Sequence, residues 1–357
     1  MQKKFAFLVL ASIASQGAYC QSSVTLFGVV DSSVSYTTGS LSHKVMLNPT
    51  GGGLFASRIG FRGEEDLGSG ARATFWLEAS LQPDSGIGAA SNTNNQSSGA
   101  ATTALNGGQG LVFNRRATVS LAGPWGEVRL GRANTPAYLN IGVADPYFHT
   151  GLGASQTLQG TSVLGPAYVR ASNLVYYISP RVGGLFGEAA YFLGENASNA
   201  TNRSDGSGSS FRFGYETPDV TLSAGYQRAR FVTGDTVNRS VLGILKLPVV
   251  KLSAGYQWDT VRGPAPDARG WTVGAVVPLN AWEFRAVLSQ YQLTGPGNPR
   301  SRKLVLGSNY ALSKRTTLYA TAAQINNGGT ASQALAGSTT RPGDSSSGVE
   351  LGINHRF

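Results

Sequence analysis

Cysteine occurs once in the 357 residues, at Cys20, so nothing beyond that position can form a disulfide or hold a metal through thiolates. Histidine is almost as scarce. His43, His149 and His355 are the three, and no Ser or Asp stands at a recognisable spacing from any of them, which leaves no poised base for a hydrolase. After residue 20 no apolar run approaches the roughly 20 residues that a spanning helix requires. Acids are outnumbered, 19 against 29 Lys and Arg. A basic surplus can mean nucleic acid, but these basic residues are scattered singly and form no stripe or recognisable binding module, so that partner is set aside.

What is present begins with an export signal. Lys3 and Lys4 precede the apolar run Phe5 to Ile13 and a polar stretch ending Gly17-Ala18-Tyr19-Cys20, the grammar of a secretory leader cleaved after Cys20. A lipid anchor on Cys20 is the rival reading, and Tyr19 is bulkier than the small residue that anchoring wants there. Loss of Lys3 and Lys4 leaves 27 basic residues against 19 acids, a formal charge of +8 in place of +10. An exported membrane protein without spanning helices must satisfy its backbone in lipid as a closed barrel. The 47 Gly and 10% aromatic content agree with that and do not exclude a soluble β-protein.

Alternation carries more. In Arg58-Ile59-Gly60-Phe61-Arg62 the odd positions are apolar and the even ones polar or glycine, which is strand period. Ala71, Ala73, Phe75, Leu77 and Ala79 oppose Arg72, Thr74, Trp76 and Glu78 in the same way; Val220, Leu222, Ala224 and Tyr226 oppose Thr221, Ser223, Gly225 and Gln227. Sixteen such segments can be marked, from 23–36 and 54–64 through 111–122 to 347–357. Their links alternate in length: short turns such as Glu65 to Ser69, Gly123 to Gly126 and Asn280-Ala281, and long polar links such as Pro83 to Gly110, Ala133 to Val169 and Asn327 to Ser346. Outer-membrane barrels have this asymmetry, and a soluble sandwich has no reason to sort its loops by parity. Residues 89–108 read as a low-complexity loop, leaving one domain over 21–357. Trp125, Trp258, Trp271, Trp282 and Tyr191 fall near strand ends, where interfacial girdles belong.

Several motifs, in order and at matching spacing, resemble the general porin family of β-proteobacteria: Ser23 to Asp31, Ser57 to Gly68, Phe113-Asn114-Arg115-Arg116, Leu130-Gly131-Arg132, Tyr310 to Thr316 and His355-Arg356-Phe357. The resemblance implies an all-β fold, a transmembrane 16-stranded antiparallel β-barrel with an inward-folded constriction loop, assembled as a homotrimer. The matching loop is Ala133 to Val169, whose Asp145-Pro146-Tyr147-Phe148 looks like the family's inserted stretch. In such porins wall arginines face acids on that loop. Arg58 and Arg115 match the constriction arginines, Arg170 is the nearest candidate for a third, and Tyr176 stands where many relatives place a basic residue. Inward parity adds Arg62, Arg72, Arg129 and Arg285 beside Glu78, Glu127 and Glu283; Arg116 and Arg132, from the matched motifs, complete the lumen set. Phe357, a terminal aromatic on the alternating positions Val349, Leu351, Ile353 and His355, looks like the assembly signal of outer-membrane barrels.

The implied activity is passive diffusion of small hydrophilic solutes with a preference for anions, because arginines in a narrow low-dielectric passage favour them. No cofactor is implied. Partners are two further copies, outer-membrane lipids and lipopolysaccharide, the barrel-assembly machinery and small anionic or neutral solutes. The alternatives are a substrate-specific channel for organic acids or phosphate, a barrel enzyme, and an adhesin whose loops carry no motif.

Overall fold

The computed structural model describes residues 23–48, 51–92, 94–96, 111–263 and 266–357. The expected export signal and much of the 89–108 segment lie outside them. The strands are β1 (Ser23–Gly39), β2 (His43–Leu47), β3 (Arg58–Gly68), β4 (Ala71–Ser80), β5 (Arg116–Gly123), β6 (Gly126–Asn134), β7 (Arg170–Ile178), β8 (Leu185–Phe192) and β9 (Gly208–Glu216). They continue as β10 (Val220–Ala229), β11 (Thr236–Lys246), β12 (Lys251–Val261), β13 (Ala268–Leu279), β14 (Trp282–Leu293), β15 (Arg300–Ala311), β16 (Thr316–Gly328) and β17 (Ser345–Arg356).

Setting β2 aside, sixteen strands pair antiparallel in chain order, and β17 pairs back onto β1 from Val29↔Arg356 to Gly39↔Ser346. The sheet therefore closes and leaves no free edge, the arrangement that satisfies every ladder group without water. β1 is long enough to serve two neighbours on its other edge, pairing with β3 through residues 23–29 and with β2 through residues 34–38. β2 is the one strand that alternation did not mark.

Alternation becomes an inside and an outside. Val24, Leu26, Val34 and Tyr36 of β1 are exposed, while Asp31, Ser33, Ser35 and Thr37 between them are buried. The same division holds on β10 and β15, where Leu222, Leu304 and Leu306 point out and Ser223, Ser301 and Lys303 point in. The apolar face meets hydrocarbon and the polar face lines the lumen.

At one end the links are tight. Ser69 and Gly70 have φ of 53° and 78°, the two left-handed residues of a hairpin turn that matches strand twist, and Asn280 at φ 55° serves the turn before β14. At the other end lie residues 135–169, 193–207 and 329–344, the described parts of 81–115 and 262–267, and the six-residue links at 230–235 and 294–299.

Two strands start well after their expected positions, for the same reason. β3 starts at Arg58 rather than near 54, because the Asp31 carboxylate accepts the backbone N–H groups of Gly53, Leu54 and Phe55 at 2.8, 3.3 and 3.0 Å and so takes those donors out of the sheet. β5 starts at Arg116 rather than near 111, since Asn114 Oδ1 accepts the Ser80 N–H at 2.9 Å and its side chain occupies the place of a strand. β3 also runs on to Gly68, through residues expected to turn.

The segment between β6 and β7 lies against the polar wall. Pro136–Gly142 is a short helix with Thr135 as N-cap and proline at its first turn, followed by a 3-10 turn at Gln156–Gln159 and a second short helix at Gly160–Leu164. Its backbone is stitched to inward side chains: Ala137 N–H to Ser210 Oγ at 3.0 Å, Ala144 O from Ser253 Oγ at 2.7 Å, Gln156 N–H to Ser289 Oγ at 2.9 Å and Ala154 O from Lys303 Nζ at 2.8 Å. Beneath it the wall turns apolar: Leu242 and Ile244 pack on Ala144, and Val287, Val305 and Ile325 share a cluster with Tyr147 and Leu152. The molecule's buried apolar contacts thus include a layer inside the barrel, between loop and wall.

Candidate functional site: an arginine-lined lumen

The inward arginines gather on β3 to β7. Strand parity puts Arg58 and Arg62 on the inner face of β3, Arg72 on β4, Arg116 on β5 and Arg129 on β6. Arg132 breaks parity with Arg129 by one residue. A register shift between Gly131 and Ala133 returns it to the inner face, where Nε donates to Asn114 O at 2.7 Å and Nη1 to Ser172 Oγ at 2.8 Å. Gly131 permits the bulge with φ 122°; a Cβ there would sit 2.1 Å from Ala117 O.

One carboxylate organises the centre of this wall. Glu78 Oε1 lies 2.5 Å from Arg115 Nε and 3.7 Å from Arg58 Nε, and Glu78 Oε2 accepts Trp76 Nε1 at 3.2 Å. Arg115 itself precedes β5 and is tied back by its N–H to Glu78 O at 3.1 Å. Trp76 faces inward and serves as a shelf: Arg116 lies 4.5 Å and Arg62 5.4 Å from its ring centre, and Arg62 also covers Phe27 at 5.5 Å. Such contacts, each worth about 0.5–2 kcal/mol, hold guanidiniums in place without neutralising them. Arg129 does meet an acid, Glu127, at 2.9 Å and rests 5.3 Å from the ring of Tyr176. Arg72 and Glu64 are 3.6 Å apart and both well exposed. The recess bounded by Arg62, Arg72, Arg116, Arg129, Glu64 and Glu127 has a volume of about 480 Å³.

Arg170 opens β7 with Arg115, Arg132 and Glu78 among its charged neighbours, and its Nε has no hydrogen-bond partner among the described residues. Tyr176, at the position where the resemblance would place a basic residue, instead donates its hydroxyl to Glu188 Oε2 at 2.5 Å. Arg285 stands apart from the cluster, bound to Glu283 at 2.7 Å and, through Nη1, to Pro146 O at 2.9 Å.

The loop side is different in kind. From residue 133 to 169 the sequence carries one acid, Asp145, and no Lys or Arg. That acid does not reach across the lumen. Its Oδ1 accepts Tyr147 N–H at 2.9 Å, and its Oδ2 accepts His149 N–H at 3.1 Å and Ser155 N–H at 2.8 Å, which leaves it buried. Phe148 and His149, at φ 46° and 57°, are held in the left-handed region by those bonds. Tyr138 is the loop residue with Arg170 and Arg115 as charged neighbours, and burial raises its phenol pKa, so it faces them uncharged. Burial of His149 lowers its pKa from 6.5 against the opposing pull of Asp145.

Sequence reading missed three inward residues that anchor the lumen. Asp31 also accepts Tyr319 Oη at 2.6 Å and Asn354 Nδ2 at 2.9 Å; Glu350 accepts Ser33 Oγ at 2.8 Å and Leu152 N–H at 3.2 Å; Lys303 holds Ala154. All three sit on inward parity, so the alternation that marked the arginines could have found them. Phe357 exchanges two backbone hydrogen bonds with Gly28, at 3.0 and 3.1 Å, where the barrel closes.

A closed sixteen-stranded barrel with an apolar exterior and a charged polar lumen defines a pore-forming protein of the bacterial outer membrane. The chain belongs to the Gram-negative porin family, whose model matches residues 6–330. It is 30% identical over 375 residues to outer membrane porin protein 32 of Delftia acidovorans, covering 99% of this chain and 100% of that one. Its structure resembles an anion-selective porin from Comamonas acidovorans with a TM-score of 0.81 and 29% identity, over 94% of this chain and 100% of the other. OmpT of Vibrio cholerae, in a trimer form, shares the fold at TM-score 0.67 and 14% identity, over 94% and 99% of the two chains.

Proposed function

We propose that this outer-membrane porin favours anions, and that Arg58, Arg115 and Arg170 set the preference where the wall faces Tyr138 of the inserted segment. One observation carries this: the arginines of β3 to β7 face a loop whose only acid is consumed by its own backbone. Charges more than about 8 Å apart in physiological salt are largely screened, so acids elsewhere do little to offset a cluster this close. Glu78 offsets one of its two arginines and leaves the group positive. The anion selectivity of the Comamonas porin supports the same reading.

Arg58→Ala combined with Arg115→Ala leaves Glu78 without either partner, so the zero-current potential in a salt gradient is expected to move toward cations. Arg203→Ala, on the exposed 193–207 link, is expected to leave it unchanged. Equal shifts from the two constructs, or a wild-type channel already preferring cations, would sink the assignment. The long links are inferred to face outward from the cell, and the working unit is inferred to be a homotrimer.

A further inference from the structure

The outer surface carries a second set of arginines that the pore does not use. Tyr226, Arg239, Trp258, Arg269, Gln292 and Arg300 are register partners in turn, so they form one lateral rung across six strands, β10 to β15. All six share the parity of the lipid-facing residues. Arg239, Trp258, Arg269 and Arg300 are exposed. Arg302 lies two residues further along β15 on the same face and donates to Gln290 at 3.1 Å.

The rung sits at the end with the longer links and caps an apolar band: Val241 and Leu245 below Arg239, Val273 and Val277 below Arg269, Leu304 and Leu306 below Arg302. From Arg239 to Leu245 is about 20 Å of strand, which at a tilt of about 40° covers roughly 15 Å of a hydrocarbon-facing belt about 25 Å tall. Among the described residues none of Arg239, Arg269, Arg300 and Arg302 meets a carboxylate, and Arg239 lies 6.0 Å from the centre of the Tyr226 ring. On the strands that adjoin β15 the outward positions at this level are uncharged: Gln324 of β16, Ser345 and Ser347 of β17, and Tyr36 and Thr38 of β1. Unpaired guanidiniums confined to one arc, at the boundary between apolar surface and water, with Trp258 between two of them, call for an anionic headgroup.

We propose that this rung binds the phosphorylated sugar head of an outer-leaflet glycolipid, with the acyl chains lying on the apolar band beneath. Arginines two strands apart are about 10 Å from one another, spaced to take separate phosphates on one disaccharide. Planar guanidinium forks suit phosphate oxygens, and tryptophan belongs at the same depth. A second copy docked rung to rung would bring like charges together and is disfavoured there.

The test titrates the purified full-length porin, in neutral detergent, with bis-phosphorylated lipid A and with the same lipid dephosphorylated. The phosphorylated form is expected to bind tighter. Arg239→Gln, Arg269→Gln and Arg300→Gln together are expected to cost on the order of a hundredfold in its affinity, at about fivefold for each guanidinium. The zero-current potential should stay at its wild-type value, which separates this site from the lumen cluster and also reports a folded channel. Should the triple variant fail to fold, Arg269→Gln alone is expected to lose about fivefold, and Arg269→Lys to recover part of it. Equal affinity for the two lipids, an unchanged affinity in a folded variant, or displacement of the lipid by millimolar inorganic phosphate would each overturn the proposal; the last would reassign the rung to free anions.

Discussion

Glu78, Asp145 and His149 show how single side chains set the character of the lumen. Glu78 is shared by Arg58 and Arg115, so it fixes their positions at the cost of one unit of positive charge. Asp145 spends its charge on three amides, bonds to a charged group being worth about 1.5–3 kcal/mol each. His149 lies beside it with Nε2 2.9 Å from Thr157 Oγ1 and 3.9 Å from Asp145 Oδ2; Tyr138 is the other titratable group against its ring, with centroids 5.5 Å apart. Because burial lowers the pKa of the docked His149, an undocked loop binds a proton that the docked loop refuses as pH falls below 6.5. Docking is therefore weakened on acidification, by up to about 1.4 kcal/mol per pH unit until the docked pKa is reached, and unaffected above neutrality. Amide exchange at Tyr147, His149 and Ser155, corrected for intrinsic rates, is expected to speed up between about pH 7 and pH 5 in the wild type. His149→Gln is expected to flatten that dependence; a wild-type loop whose exchange is flat over the same range would refute the coupling.

The strands were largely legible because a barrel wall has a simple rule, apolar outside and polar inside, written at period two. Where the rule failed, a side chain had replaced the backbone as hydrogen-bond partner, as Asp31 does for residues 53–55 and Asn114 does for Ser80. β2 escaped because four of its five residues are exposed, so His43–Leu47 has no alternation to read. The facing of the inserted loop was also hidden. A resemblance places an acid near residue 145, but whether it looks across the lumen depends on the turn it caps. Leu242, Ile244, Val287 and Val305 were a signal in plain view, apolar residues on inward parity that trace where the loop rests. The sidedness of the links can be checked in intact cells. Thr233→Cys, on the 230–235 link, should react with an impermeant maleimide, and Lys314→Cys, in the turn before β16, only after permeabilisation, against a background with no thiol beyond Cys20. Both or neither reacting would contradict the inferred orientation.

For the whole molecule, the proposed trimer leaves a mark on mass. Wild-type protein in neutral detergent is expected to weigh three chains and to resist dissociation until heated; a single-chain mass under those conditions would remove the trimer. The neutral outward positions of β1, β16 and β17, beside the charged arc of β10 to β15, give the barrel two unlike sides, one suited to a neighbouring copy and one to lipid.

The path of the inserted segment also sets an order in time. It leaves β6, meets β9 at Ser210, β12 at Ser253 and β17 at Glu350, then comes back by β14 at Ser289 to β10, where Gln227 donates to Ala167 O at 2.9 Å. Its partner at Glu350 is nearly 200 residues away in the chain, a separation of 198 from Leu152. Contacts so distant are slow to form, because loop-closure entropy is spent before they reward it. Seating of the segment and joining of β17 to β1 therefore wait on the same last strand. The narrow passage is therefore complete only in a barrel whose β17 is sealed to β1.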